Sequence, residues 1–171
     1  MQNDPKLAHY MAEHDSAVAW ARLNRSIIAS RAASAARAEV TCLTDVPHNF
    51  IENVDGGYLH RKGAASAMQG LVPVPGSRGT LSYLVEPLAH PDALMSLAHG
   101  AGRKFERGSM HGRVEKTKSG IARLERNPFG GIVVCEDRDL LVEEAPEAYK
   151  SITRVIEDLT TFSLARVVAS F

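Results

Sequence analysis

The run His99-Gly100-Ala101-Gly102-Arg103 places a nucleophile next to a phosphate-binding loop. Neutral imidazole can attack an electrophilic centre and hold the transferred group covalently, and neighbouring cations favour that neutral form. Gly100, Ala101 and Gly102 are small enough to let the backbone approach a ligand. Successive N–H groups in such loops form anion-binding nests. Arg103 adds a permanent charge with a fork suited to phosphate. The same His-Gly pair also fits a helix C-terminus closed by a capping glycine, so the pentapeptide alone leaves both roles open.

Three further segments carry groups of the same chemical type. Pro75-Gly76-Ser77-Arg78-Gly79-Thr80 is a second glycine-rich loop, and Ser77, Thr80 and Ser82 offer hydroxyls to a nucleotide; it also reads as an ordinary tight turn. His48, in Pro47-His48-Asn49-Phe50-Ile51-Glu52, is either a metal ligand with polar support or a half-buried histidine bonded to backbone. His60-Arg61-Lys62 is a short cationic stretch, phosphate-binding or solvated.

These residues need elements to hold them. Asp4-Pro5 has the form of a helix cap followed by proline at the first helical position. Leu7, Tyr10, Met11, His14, Ala17, Val18 and Ala21 then recur at helical spacing, which predicts one long helix to about Ala38, or two with a break near Ser30. Short strands are expected over Val40–Leu43, Tyr58–Lys62, Leu71–Val74 and Leu81–Val85, with a turn at Asp55-Gly56-Gly57. Pro91–Ala98 reads as a short helix or turn. Gly130–Cys135 reads as an apolar strand, Ala145-Pro146 opens a helix carrying Tyr149 and Ile152–Leu159, and Leu164–Phe171 is β-prone. The expected class is α+β, mixed helices and short strands in one unit.

The chain has 171 residues, 44% hydrophobic and 23% charged, with no net charge; that is ordinary for a globular domain. No apolar run approaches the ~20 residues of a bilayer span. The N-terminus lacks the pattern of a secretory signal. Cys42 and Cys135 make neither a disulfide framework nor a zinc spacing, so the cytoplasm is expected and no membrane partner. The charge is uneven: Arg103–Arg126 holds eight Lys or Arg against three Glu, and Glu136–Asp158 holds eight Asp or Glu against three Lys or Arg. The basic stretch could follow a phosphate backbone, or the two stretches could be solvated faces that partly pair. No aromatic-rich stacking surface marks a single-strand binder.

Taken together, the motifs resemble the RtcB family of RNA ligases, which seal RNA 3′-phosphate and 5′-hydroxyl ends. Four blocks match in the family's order: His48–Glu52, His60–Ala64, Pro75–Tyr83 and His99–Arg103. Trp20–Arg25 before them and Glu144–Lys150 after them match more weakly. The resemblance implies part of an RtcB-like fold over residues 1–171, as a single partial domain. It implies that the histidine at His99 attacks the α-phosphate of GTP, with Mn2+ bound, to give a histidine–GMP adduct. GMP then passes to the RNA 3′-phosphate, and the 5′-hydroxyl attacks that activated end. Ser77 and Ser82 match guanylate contacts, Tyr149 a residue near the guanine, and His48 a manganese ligand. RNA repair or tRNA splicing is the implied role.

The departures from the family pattern carry expectations too. The other manganese ligands of the family, an Asp, a Cys and two His, lie in motifs upstream of the matched region, and a C-terminal lysine that contacts guanine lies beyond Phe171. Arg78 stands where many members carry Met, and Glu106 replaces a common Ser. The sequence resembles a C-terminal half that needs its N-terminal half as partner. One divergent branch is encoded beside a release-factor-like protein, a second partner that the resemblance suggests. The alternative is a non-catalytic remnant that binds nucleotide or RNA without forming an adduct.

Overall fold

The computed structural model describes residues 4–171. They form two compact units, one up to Lys62 and one from Gly63 to Phe171.

The first unit is a helix and a hairpin. Helix α1 (Pro5–Ala36) is continuous through Ser30. Asp4 caps it by accepting the Lys6 N–H at 2.9 Å, and Arg37 closes it in a left-handed conformation. Strands β1 (Asn49–Val54) and β2 (Gly57–Lys62) pair antiparallel around Asp55-Gly56. This Asp-Gly pair is the residue choice that a two-residue hairpin turn requires, and Gly56 has φ +88°. Phe50 is buried on β1, and the Arg61 guanidinium lies 5.2 Å from its ring centroid while pairing with Glu52. His14 Nε2 accepts the Ile51 N–H at 2.8 Å, and Arg25 pairs with Asp45 at 2.6 Å, so α1 is tied to the hairpin and its approach. The strand expected over Val40–Leu43 does not form. Val40 and Leu43 are exposed, and an apolar run with no strand beside it has nothing to pair with.

The second unit holds two antiparallel sheets and three helices. Strands β3 (Ala64–Ser66) and β6 (Ser96–Ala98) form one sheet; β4 (Val72–Val74), β5 (Tyr83–Pro87) and β7 (Ala165–Ser170) form the other, in the order β4-β5-β7. Val72, Val74 and Val85 are buried in the second sheet. Helices α2 (Lys118–Leu124), α3 (Arg138–Glu143) and α4 (Ile152–Thr161) start at Thr117, Asp137 and Ser151, each accepting a backbone N–H from the first turn, the usual N-cap bond. Met110, Leu124, Leu141, Val142, Ala145 and Ala148 form a core with Phe105 and Tyr149 packed against it. Antiparallel sheets and helices in separate stretches make the α+β class expected from the sequence.

Three expectations change here. Pro91–Ala98 splits into a 3-10 turn over Pro91–Ala93 and strand β6. Gly130–Cys135 is extended but makes only an isolated bridge, Arg126 to Ile132, and leaves Ile132 and Val134 in solvent. The helix expected from Ala145 is a 3-10 turn over Pro146–Ala148, an extended Tyr149, and then α4. Ser151 takes the cap position, which places Tyr149 outside the helix.

Candidate active site

His99 follows directly on β6. Its N–H donates to the Gly63 carbonyl at 3.4 Å, continuing the β3–β6 pairing of Ala64 with Ala98. The chain then turns onto the loop after β4, where the Ala101 N–H donates to the Pro75 carbonyl at 3.0 Å. A Cβ on Gly100 would stand 2.9 Å from that same oxygen, so only glycine admits this approach. Gly102 adopts φ +66°, the left-handed region, and its carbonyl accepts the Lys150 N–H at 3.0 Å. The His-Gly pair is therefore a strand exit, not a helix cap. The pentapeptide is clamped between the Pro75 loop and the Tyr149-Lys150 segment.

The Pro75–Thr80 loop is folded largely by its own hydroxyls. The Ser77 N–H donates to Thr80 Oγ1 at 2.7 Å, the Gly79 N–H to Ser77 Oγ at 3.3 Å, and the Gly76 N–H to Ser82 Oγ at 3.4 Å. Ser77 and Ser82 thus set the shape of the loop in which they stand as candidate nucleotide contacts.

Arg103 reaches protein acceptors with its whole fork. Nε donates to Phe105 O at 3.1 Å, Nη1 to both Glu144 carboxylate oxygens at 3.1 Å, and Nη2 to Glu143 O at 2.7 Å. Its guanidinium lies 5.2 Å from the Tyr149 ring centroid, and the Tyr149 hydroxyl donates to Glu144. Arg107 completes the group, 3.0 Å from Glu144. Burial alone would raise the Glu144 pKa; the Tyr149 and Arg107 hydrogen bonds and the two arginine charges outweigh it, and the carboxyl sits below the ordinary range. The Tyr149 hydroxyl is held above its ordinary value by burial first and then by Glu144. The network fixes the Tyr149 ring beside the His99 segment. Sequence reasoning missed Glu144 and Arg107 as members of it. The only signal was the Glu144–Lys150 block, because Arg103 and Glu144 are 41 positions apart.

His48 belongs to the first unit, where Pro47, His48 and Asn49 line a cavity of about 200 Å3 with His14, Ala17, Val18, Ala21 and Arg25. Burial, and then the Arg25 charge, push its pKa below the ordinary histidine value. A neutral imidazole suits a metal ligand. Among the described residues, however, no three His, Cys, Asp or Glu side chains come together to hold an ion, so these residues do not by themselves make a manganese site. No helix among them is long and apolar enough to cross a membrane.

A clamped histidine beside two glycine-rich loops, in an α+β unit, defines a class that the comparisons with known proteins name. The family model for tRNA-splicing ligase RtcB matches residues 1–171, and the chain belongs to the RtcB family. It is 45% identical over 164 residues to RNA-splicing ligase RtcB2 of Escherichia coli, covering 94% of this chain and 43% of that protein. It is 33% identical over 186 residues to RNA-splicing ligase RtcB of Mycobacterium tuberculosis, covering 94% of this chain and 42% of that one. The chain thus spans about two fifths of the length of these relatives.

Proposed function

We propose that this chain is the guanylate-accepting part of an RNA ligase that joins RNA 3′-phosphate to 5′-hydroxyl ends with GTP and manganese, in RNA repair or tRNA splicing. The observation that carries the reading is the clamp on His99. Gly100 and Ala101 lie against Pro75 O, and Gly102 against Lys150, so the histidine leaves a paired strand on a fixed backbone next to the Ser77 loop. Holding a nucleophile in one geometry removes much of the entropy of its encounter with a bound substrate. Family membership and the ligase names of the relatives support the chemistry.

In this reading, a neutral His99 ring nitrogen attacks the α-phosphorus of GTP. A nitrogen–phosphorus bond forms, the bond to the β-phosphate oxygen breaks, and pyrophosphate leaves. An oxygen of the RNA 3′-phosphate then attacks the same phosphorus and releases the histidine. The RNA 5′-hydroxyl attacks the activated 3′-phosphate, loses its proton and expels GMP. A 2′,3′-cyclic phosphate has first to be opened by water to the 3′-phosphate. Ser77, Ser82 and Tyr149 serve as guanylate contacts, Tyr149 being fixed by Glu144 and Arg103. Backbone N–H groups of Gly100 and Gly102 favour anions at this loop. The Ala101 N–H and the Arg103 fork, expected to bind phosphate, are instead taken by Pro75 O and by Phe105 O, Glu143 O and Glu144, and so position the loop. Manganese would supply charge stabilisation on the triphosphate. His48 is its candidate ligand in this chain, and further ligands must join it.

The test mixes the chain with the upstream portion of a relative, manganese and GTP labelled at the α-phosphate. Acid-labile label should appear on this chain and vanish in His99→Ala. Label that survives in His99→Ala removes His99 from the reaction. RNA or guanine-nucleotide binding without label, with the upstream portion present, favours the non-catalytic remnant.

A further inference from the structure

A second feature of the larger unit lies outside the His99 clamp. A cavity of about 320 Å3 is lined by four arginines, Arg78, Arg113, Arg123 and Arg126, against two carboxylates, Glu115 and Glu147. Four guanidinium groups against two carboxylates leave a formal surplus of two positive charges. Its size is at the small end of ligand clefts, which run from about 300 to 1,000 Å3.

Two of the four, Arg78 and Arg123, have carboxylates near them, Glu147 and Glu115, and two, Arg113 and Arg126, form no ion pair among the described residues. Arg123 pairs with Glu115 at 3.1 Å, but both side chains are largely exposed, and such pairs contribute little. Arg78 donates to Leu141 O at 2.8 Å, which anchors it and leaves its charge in place. The Arg113 guanidinium lies 3.9 Å from the Phe105 ring centroid and pairs with no carboxylate among the described residues. Arg126 forms no ion pair with any described residue. Guanidinium forks match phosphate in charge and in shape, and two of these, Arg78 and Arg113, are held in place.

The cavity also adjoins the nucleotide loop. Gly79 forms part of its wall, and a Cβ there would meet Pro146 Cγ at 2.7 Å, so the loop lies tight on the 3-10 turn that precedes Tyr149. Ser77 Oγ is 3.9 Å from that same Cβ position. One glycine thus separates the Ser77 hydroxyl from the arginine-lined space.

We propose that this cavity is a phosphate-binding site that holds the backbone of the RNA strand beside the Ser77 loop. The four arginines come from separate segments: Arg78 from the loop after β4, Arg113 from the turn before α2, Arg123 from α2 and Arg126 from just beyond it. The triphosphate tail of a nucleotide has the same chemistry as an RNA backbone and is the other source. The choice of RNA rests on the ligase reading above; the existence of a phosphate site does not.

The experiment compares the full chain with the variant Arg113→Gln/Arg123→Gln/Arg126→Gln. Binding of a short single-stranded RNA is followed by fluorescence anisotropy between about 50 and 200 mM salt, and GTP binding is followed separately by calorimetry. The RNA arm should lose roughly tenfold in affinity at the lower salt, and its log–log salt slope should become shallower by about 2, from about 0.7 per phosphate contact on a single strand. Loss of GTP affinity with RNA unchanged keeps the phosphate site and overturns the RNA assignment. No change in either arm overturns the site. An equal loss in Arg138→Gln/Arg154→Gln/Arg166→Gln, which removes the same charge elsewhere in the unit, also overturns it. If the triple variant unfolds early, Arg126→Gln alone carries the test, with a slope change of about 0.7 expected. Neither arm needs the covalent step, so a missing His99 adduct with RNA binding lost in the triple variant would reject the ligase reading and keep this site.

Discussion

The two units of this chain put their apolar residues to different uses. In the smaller one, α1 runs for 32 residues and buries none of them. Tyr10, Trp20, Leu23 and Ile28 are all exposed along it. Most protein helices owe their stability to a packed apolar face. Here α1 rests on its Asp4 cap, its alanine-rich sequence and a few ties such as His14 to Ile51. In the larger unit Met110, Leu141 and Val142 are buried in a common core, and the candidate site is built on backbone bonds leading into it. Residues that hold the candidate nucleophile in place sit where the packing is dense. The contrast predicts where a mutation is felt.

The largest effect is expected in that core. Leu141→Ala, at 2% exposure, should cost about 2–5 kcal/mol, since truncating a packed leucine loses transfer energy and leaves a cavity. Leu23→Ala on α1, at 60% exposure, should stay within about 0.5 kcal/mol. Urea unfolding of both variants measures this. A cost at Leu23 equal to that at Leu141 would mean that α1 is packed in solution, and the contrast would fail.

The next effect concerns the site's own network. Glu144→Gln removes the charge that Arg103, Arg107 and the Tyr149 hydroxyl all address. It should cost about 1–3 kcal/mol at neutral pH, the range for leaving a partly buried polar partner unmet. Because the folded-state pKa of Glu144 lies below its unfolded value, its contribution is complete above the unfolded carboxylate value and is lost as the pH falls through the folded one. An acid titration of stability should therefore be flatter in Glu144→Gln than in the unmodified chain. Identical acid limbs would show that Glu144 does not feel these partners.

The parts legible in the sequence are those defined by neighbours along the chain. Asp4-Pro5 marks the start of α1, Asp55-Gly56 marks the hairpin, and the run after Ser163 marks β7. The Pro75 loop and His99–Arg103 carry their small residues in plain view. What was not legible depends on distant partners. Strands β3 and β6 are three residues each, too short for alternation to show, and exist because they pair with one another. The Gly130–Cys135 segment has strand composition but finds no partner strand, bonding only to the nearby Glu125–Asn127 stretch through an isolated bridge and a few backbone bonds. Tyr149 fits a helical pattern by spacing, yet its bridge to Arg103 holds it extended. No local pattern announces that Arg103 reaches across to Glu143 and Glu144.

A glycine pair gives a smaller test of the contrast. Gly100→Ala places a methyl 2.9 Å from the Pro75 carbonyl, a backbone atom that cannot swing away. The expected cost is about 1–3 kcal/mol, as for other overpacked sites, together with weakened adduct formation at His99. Gly57→Ala in the hairpin meets nothing within 4 Å and has no positive φ. It should be neutral or stabilising by up to about 1 kcal/mol. Thermal midpoints distinguish the two, and equal shifts would mean that the Pro75 contact is loose.

The smallest effect separates the electrostatics of the two units. At Glu144 the partners outweigh burial, whereas at His48 burial is the larger influence and the Arg25 charge adds to it in the same direction. A histidine whose folded-state pKa is lowered contributes stability above its unfolded value, and loses it as the pH falls through the lower folded value. NMR titration of the His48 ring in Arg25→Gln should show the pKa rising, but only part of the way to 6.5, because burial persists when the charge is gone. A return all the way to 6.5 would mean that charge, not burial, keeps His48 neutral. The two units would then differ in packing alone, and a metal approaching His48 would meet a solvated imidazole whose protonation follows the charges around it.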